Sequence, residues 1–155
     1  MDSEKKKKRP KFTLIDWCVL AGIFVGIASV YSPSITLARQ EQKLADMVER
    51  LQMMRSHILL YRAEHDGLLP GQISPGEPVT SDGFIEAICE YHPTGYSGMN
   101  SMPENPYILD PDMSTAVHCV NEPDTEPTGR EGTGWWFNTA TGEFFACDSE
   151  FHTKY

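Results

Sequence analysis

The chain has 155 residues, with 13 Lys and Arg against 22 Asp and Glu, and a formal charge of −9. This length excludes several tandem domains, and the acidic balance argues against binding of nucleic acid, because contacts with phosphates need clustered Lys and Arg. The charge is unevenly divided: the first 11 positions hold six basic residues and carry +4, whereas the remainder carries −13. A basic leader before an acidic chain indicates a membrane protein.

The stretch from Phe12 to Tyr31 directly follows the leader and holds one charge, Asp16, in 20 residues. As a helix it would be about 30 Å long, the thickness of a bilayer's hydrocarbon core. The positive-inside rule then predicts a single-pass protein of the inner membrane, with a cytoplasmic N-terminus and a periplasmic C-terminal head. Two other interpretations stay open, a signal peptide cleaved after Ala28 and a plain uncleaved anchor. Neither explains Asp16, because a carboxylate inside a membrane segment is costly and usually has a partner.

The sequence KFTLID from Lys11 to Asp16 resembles the prepilin-type cleavage and methylation motif of type IV pilins and type II secretion pseudopilins. In that family a basic leader ends in Gly, a prepilin peptidase cuts before the Phe, and the new amine is methylated. The resemblance implies a cut between Lys11 and Phe12, with Lys11 at the position of the family's Gly. It also implies that Asp16, at the position of the family's Glu, pairs with the N-terminal amine of a neighbouring subunit during assembly. Such a pair would neutralise two charges inside a filament core.

Residues 34–65 show the spacing of an amphipathic helix, with charged residues on the other faces. The apolar positions recur at intervals of 3, 4, 3, 4 and 3 residues, and they are Leu44, Met47, Leu51, Met54, Ile58 and Tyr61. A stripe of this kind most often packs against the protein's own core. Gly67, with Pro70 beyond it, predicts the end of the helix. Continued back to Phe12, the helix would have about 54 residues and a length of about 80 Å.

The sequence of the C-terminal half predicts short helices and strands among long loops. Asp82 is the expected cap of a short helix, and five prolines between Gly95 and Gly134 predict mostly loop, with one short strand near 116–120. Two β-prone runs, 135–137 and 143–147, flank a five-residue loop that ends in Gly, which predicts a β-hairpin. This hairpin and Asn105-Pro106 also resemble features of G-type pseudopilins.

The predicted fold class is α+β. A long N-terminal helix, made of a transmembrane half and an amphipathic stalk, packs on a small globular head with a C-terminal β-hairpin or antiparallel sheet. The predicted segments are a basic cytoplasmic leader at 1–11, a transmembrane helix at 12–32, a stalk helix at 33–66 and a periplasmic head at 67–155.

Acidic residues precede the hairpin, and the resemblance gives them a candidate role. Major pseudopilins often hold a calcium ion in this loop, which implies Asp110 and Asp112 as oxygen ligands here. Calcium takes about six to eight oxygens, and acidic loops are more often merely solvated. A calcium site and a plain solvated loop therefore both stay open, and no cofactor is required.

Four cysteines are present, of which Cys18 lies in the predicted membrane segment. In an oxidising compartment one disulfide is expected among the other three, Cys89, Cys119 and Cys147. Pairing of Cys119 with Cys147 would join the middle loop to the hairpin. A zinc site built from Cys and His is the alternative, although no doubled Cys-x-x-Cys supports it.

The sequence contains no Gly-x-Ser-x-Gly, no phosphate loop and no His-Glu-x-x-His, so no enzyme is predicted. The predicted function is a structural, pseudopilin-like subunit that assembles from the inner membrane into a helical filament of a type II secretion or type IV pilus-like system for protein export. Its predicted partners are a prepilin peptidase, copies of itself and other pseudopilins in the filament, and the inner-membrane secretion platform, with no nucleic acid. The alternative function is a membrane-anchored periplasmic binding module with an uncleaved N-terminal anchor.

Overall fold

The computed structural model describes residues 13–95 and 98–155. Inside the first helix it leaves out the side chains of residues 14, 16 and 24–35. The chain divides into two compact units, Met1–Glu41 and Gln42–Tyr155, called here the N-terminal unit and the C-terminal unit. The division therefore falls inside the segment that the sequence assigns to the stalk, 33–66.

Helix α1 is assigned to Leu14–Glu64. In the C-terminal unit its stripe packs against the core as the spacing predicts, since Met47, Leu51, Met54 and Ile58 are all at most 3% exposed. Beyond the end of the helix the backbone is left-handed at Asp66, with φ 55°, and at Gly67, with φ 87°. This conformation costs glycine little, and aspartate is one of the few other residues that adopt it.

Two further α-helices follow α1 among the described residues. Helix α2, Ser81–Glu90, buries Phe84 and Ile88. Its cap is Thr80, whose side chain accepts a hydrogen bond from the backbone N–H of Gly83, and not Asp82, which lies in the first turn. Helix α3, Pro111–Thr115, was expected to be loop. It forms because Asp110 accepts a hydrogen bond from the N–H of Asp112 and a proline occupies the first turn, a pairing typical of helix starts.

The sheet has three strands in the order β1-β2-β3: β1 is Val117–Val120, β2 is Trp135–Asn138 and β3 is Phe144–Ala146. Strands β2 and β3 pair antiparallel, at the place where the sequence predicts a hairpin, whereas β1 pairs parallel to β2. All four residues of β2 are buried. The core lies on one face of this central strand, and other segments of the same chain cover the opposite face.

Aromatic side chains fill the core between the sheet, α1 and α2. Phe84 of α2 lies 4.3 Å from Phe137, and Trp135 lies 5.5 Å from Phe144, measured between ring centroids. Each of these four side chains is at most 1% exposed. The hydrophobic effect of burying such large rings is the main stabilising contribution in a unit of this size.

The predicted fold class was wrong. It required a transmembrane half in the N-terminal helix, but spanning a bilayer takes about 20 predominantly apolar residues in one helix, and none of the helices described for residues 13–95 and 98–155 provides such a run. It also allowed only antiparallel pairing, whereas the parallel partner β1 makes the sheet mixed. The prediction of a single-pass location in the inner membrane is corrected by the same finding, since it depended on the segment 12–32 as a membrane span.

Candidate functional site

The large apolar side chains described near the start of α1 are exposed. They are Ile15, Trp17, Val19, Leu20 and Ile23, with exposed fractions from 40% to 72%. The buried core residues described for this chain all lie at or beyond Met47. The apolar surface at the start of α1, named here the N-terminal apolar surface after these five residues, therefore contributes nothing to the described core. Large exposed apolar surfaces often mark interaction sites.

The predicted processing and assembly residues lie at the edge of this region. Lys11 and Phe12 are outside the described residues, so the predicted cut between them has no structural counterpart here. Asp16 falls within the bounds of α1, next to exposed Ile15 and Trp17 along the chain. Its side chain is not among those that the structure describes.

A buried polar cluster, named here the polar hub, connects the middle loop with the C-terminal segment. It consists of Asn105, Asp148 and His152. Asn105 is 1% exposed, and its Nδ2 donates to the carbonyl of Gly134 at 2.9 Å and to Asp148 Oδ1 at 2.8 Å. The other oxygen of Asp148, Oδ2, lies 2.5 Å from His152 Nδ1. This polar hub satisfies buried donors and acceptors, and fixes the chain around the start of β2.

The structure gives Asp110 and Asp112 separate roles. Asp110 caps α3 through the bond from the N–H of Asp112, at 3.0 Å, while Asp112 itself is exposed. Two further acids near the hairpin bind other side chains, Asp148 in the polar hub and Glu150 in an ion pair with Arg130. Within 13–95 and 98–155, no group of three or more His, Cys, Asp or Glu side chains is arranged to hold a metal ion.

The structure does not bring Cys119 and Cys147 together, and all four cysteines are free thiols. Cys119 lies in β1, and Cys147 directly follows β3, with β2 between them. Neighbouring strands lie about 4.8 Å apart, which places the outer strands about 9–10 Å apart, beyond the roughly 4.4–6.8 Å between Cα atoms that a disulfide spans. The predicted bridge is therefore not formed in this fold.

Cys147 instead donates a hydrogen bond to the carboxylate of Glu131, with 2.7 Å between Sγ and Oε2. Burial, reinforced by this bond, raises the pKa of Cys147 to about 12. Although burial alone would raise the pKa of Glu131, the hydrogen bonds from Cys147 and Thr128 lower it to about 2. The thiol therefore stays protonated and the carboxylate stays charged across the ordinary pH range.

These shifts predict how stability depends on pH. The folded-state pKa of Glu131 lies below its unfolded value of 4.5, so its stabilising contribution is present above pH 4.5 and is lost as the pH falls toward 2. The thiol of Cys147 has the opposite shift, because an unfolded chain releases this proton near pH 9 while the folded chain keeps it. Stability contributed by the protonated thiol is therefore lost as the pH rises above 9.

Thiol labelling tests this assignment of the cysteines. At pH 8, iodoacetamide is expected to modify exposed Cys18 first and Cys147 last, at the rate at which the fold opens, because Cys147 is buried and protonated. Burial also raises the pKa of Cys119, to about 11, so this thiol reacts slowly as well. Mass spectrometry of digested peptides at successive times gives the order of modification.

The control is the chain unfolded in urea without reductant, in which all four thiols are expected to react at similar rates. Incorporation of only two labels per chain would show that a disulfide is present and would contradict the free-thiol assignment.

A cavity of about 330 Å³ lies between α1 and the turn of the β2–β3 hairpin. Its apolar lining includes Ile58, Leu59 and Phe144, and its charged lining residues are Arg55, Arg62 and Glu143. Leu59 is 65% exposed although it faces this cavity. We name this cavity the arginine pocket.

The two arginines of the pocket differ in what they bind. Arg55 Nε donates to the carbonyl of Phe144 at 2.9 Å, and burial lowers the pKa of Arg55 while Glu143 opposes that shift. Arg62 is exposed and takes part in neither of the ion pairs found in the described part of the chain. The pocket therefore has an apolar floor, the cation of Arg62 available to a ligand, and one acid in its lining, Glu143.

No family model, curated protein or solved structure significantly matches the chain. The resemblance to pseudopilins therefore rests on the sequence motifs alone, and the chain is assigned to no family.

Sequence reasoning missed the polar hub and the arginine pocket. Asn105 was noted only as part of an Asn-Pro pair, and nothing in the local pattern links it to Asp148, which lies 43 residues further along the chain. A usable signal did exist for α3, since Asp110-Pro111 is a cap followed by a first-turn proline. For the arginine pocket, the spacing of Arg55, Leu59 and Arg62 places these residues beside the apolar stripe of α1. It does not indicate which other segment of the protein packs opposite them.

Proposed function

We propose that this chain is a structural subunit, similar to the pseudopilins, that assembles with copies of itself into a helical filament of a type II secretion or type IV pilus-like system. The observation that carries the proposal is the N-terminal apolar surface. Five large apolar side chains stand exposed there within nine residues, a density that isolated surface residues do not reach.

The spacing of these side chains favours helix-on-helix packing. Ile15, Val19 and Ile23 follow one another at intervals of four, which places them along one side of α1. Trp17 and Leu20 extend the apolar surface beyond that side. Burial of one such side chain contributes about 1.5–3 kcal/mol, so packing of several α1 helices side by side gives a large driving force for assembly.

The processing steps implied by the motif belong to the same proposal. A prepilin peptidase would cut between Lys11 and Phe12, and the amine of Phe12 would be methylated. Asp16 would then pair with that amine in a neighbouring subunit, because a buried carboxylate is tolerated only when its charge is compensated. Other pseudopilins and the secretion platform are the further partners of the filament under this proposal.

Substitution of Ile23 by glutamate tests the proposal. Ile23 is 56% exposed, so the fold of the single chain should not depend on it, whereas a charge on a packed helix face should weaken self-association at least tenfold. Sedimentation velocity and electron microscopy of the full chain give the size of the assemblies.

Ile73→Glu is the matched control, because Ile73 is 86% exposed and lies outside the N-terminal apolar surface. Equal assembly of the Ile23→Glu variant and the wild type would refute helix packing as the driving force. The mass of the N-terminus in the same samples separates the alternatives: a start at methylated Phe12 supports the proposal, a start at Ser29 indicates a signal peptide, and an intact leader favours a binding module.

A further inference from the structure

We propose that the arginine pocket receives Leu109 from a second copy of this chain, and that Arg62 of the pocket then meets Asp112 of that copy. This inference rests on the proposed filament and names one of its subunit contacts. It depends on the shape and charge of two surfaces in the C-terminal unit, and not on the N-terminal apolar surface.

The pocket has the properties of a receptor for one apolar side chain with an acid beside it. Its volume of about 330 Å³ is at the small end of ligand pockets, which measure about 300–1,000 Å³. Leu59 and Phe144 give it apolar walls. Its charged lining residues are two cations and one acid, Arg55, Arg62 and Glu143, so the lining carries a net positive charge. An occupant needs an apolar group to fill the floor and a carboxylate to reach the guanidinium.

Leu109 is exposed to 93%, the largest fraction among the large apolar side chains described for this protein. The chain on either side of it is held in place, by Asn105, whose carbonyl accepts from the N–H of Ile108, and by the Asp110 cap of α3. Asp112, three residues further on, is exposed and takes part in neither ion pair of the described chain. A rigid turn thus presents an apolar side chain next to an available carboxylate.

Two other exposed apolar residues fit the pocket less well. Phe151 is 77% exposed, but the acid beside it, Glu150, already pairs with Arg130. Ile73 is 86% exposed, but the nearest acid along the chain, Glu77, accepts a hydrogen bond from Ser74. Leu109, with the available carboxylate of Asp112 beside it, is therefore the exposed apolar residue that best fits the arginine pocket.

The pocket and the Leu109 turn lie beside different parts of α1. Lys43 Nζ lies 5.9 Å from the ring centroid of Tyr107, and Arg50 donates to the carbonyl of Glu104, so the turn lies beside residues 43–50. The pocket lies beside residues 55–62, about 18 Å further along the helix at 1.5 Å per residue. One copy therefore cannot bring its own turn to its own pocket, and the contact requires a second copy. Within the proposed filament the contact repeats head-to-tail, an arrangement that generates an open chain of subunits when the rotation does not close a ring.

Reversing the charges tests the contact in the full-length chain. Arg62→Glu and Asp112→Arg are each expected to weaken self-association about tenfold, because each places like charges opposite one another across the contact. The double variant, which exchanges the two charges, should recover to within a few-fold of the wild type. Asp124→Arg is the matched control, since it reverses another exposed acid outside the Leu109 turn, and it should have no effect on the pairing.

Cysteine cross-linking tests the choice of Leu109 independently, with Cys18→Ser in every variant to remove the exposed native thiol. A mixture of Leu59→Cys and Leu109→Cys chains is expected to form a disulfide-linked dimer on mild oxidation. A mixture of Leu59→Cys and Ile73→Cys chains should not, although Ile73 is almost as exposed as Leu109.

The outcomes separate this contact from the filament as a whole. Wild-type chains that remain monomeric at every concentration would overturn both the proposed function and this contact. Normal assembly that neither charge reversal changes would overturn the contact alone. Weakened assembly by Arg62→Glu without cross-linking through Leu109 would place a different acidic segment, or a different protein, in the pocket and would also overturn the proposal.

Discussion

Trp135→Ala is expected to lower the free energy of unfolding of the C-terminal unit by about 3–5 kcal/mol, the usual cost of removing a buried aromatic ring. Trp135 is fully buried, its ring packs 5.5 Å from Phe144, and its Nε1 donates to the carbonyl of Pro103 at 2.8 Å. The substitution therefore leaves a cavity at the centre of the sheet and an unsatisfied carbonyl beside it. Small domains have only about 5–15 kcal/mol of stability in total, so much of the margin would be lost.

Urea unfolding followed by far-UV circular dichroism gives the change, as a shift in midpoint at constant slope. Phe151→Ala is the control, because it removes an aromatic ring that is 77% exposed, and its effect should stay within about 0.5 kcal/mol. A loss below 1 kcal/mol for Trp135→Ala would show that this ring is not the centre of the core.

Periodic patterns determined the parts of this fold that were predicted from the sequence. The spacing from Leu44 to Tyr61 predicted which face of α1 packs inward, because the helical repeat places those side chains on one side whatever they contact. The two β-prone runs that flank Thr141 and Gly142 predicted the hairpin for a similar reason, since its strands are neighbours in the sequence and a short loop limits how they can pair.

Contacts between distant parts of the chain were not predicted. Strand β1 pairs parallel to β2, and the connection 121–134 between them contains no helix. Because a parallel pair is usually joined by a helix, no local signal indicated this pairing. The predicted Cys119–Cys147 bridge fails for the same reason, because β2 lies between the outer strands only in the folded sheet. The polar hub and the arginine pocket likewise form only when separate segments meet. Sequence reasoning about chemistry is weakest where a site is assembled from several loops.

Asn105→Ala is expected to destabilise the C-terminal unit by about 2–4 kcal/mol, because Asn105 makes several hydrogen bonds inside the core and each buried polar group that loses its partner costs about 1–3 kcal/mol. Its Nδ2 binds Gly134 and Asp148, and its Oδ1 accepts from the backbone N–H of Tyr107 at 3.0 Å. The alanine variant removes all three bonds and leaves the 5%-exposed carboxylate of Asp148 with one fewer donor.

A double-mutant cycle separates the hub from simple loss of packing. Asp148→Ala should also destabilise the unit, and the Asn105→Ala/Asp148→Ala double variant should cost less than the two single effects together, by about 0.5–3 kcal/mol, because the second substitution removes a partner that is already lost. Asp124→Ala, which removes an exposed carboxylate, should change the stability by no more than about 0.5 kcal/mol. Strict additivity of the two hub substitutions would mean that Asn105 and Asp148 act independently. The C-terminal segment would then be held by its apolar contacts and not by the hub.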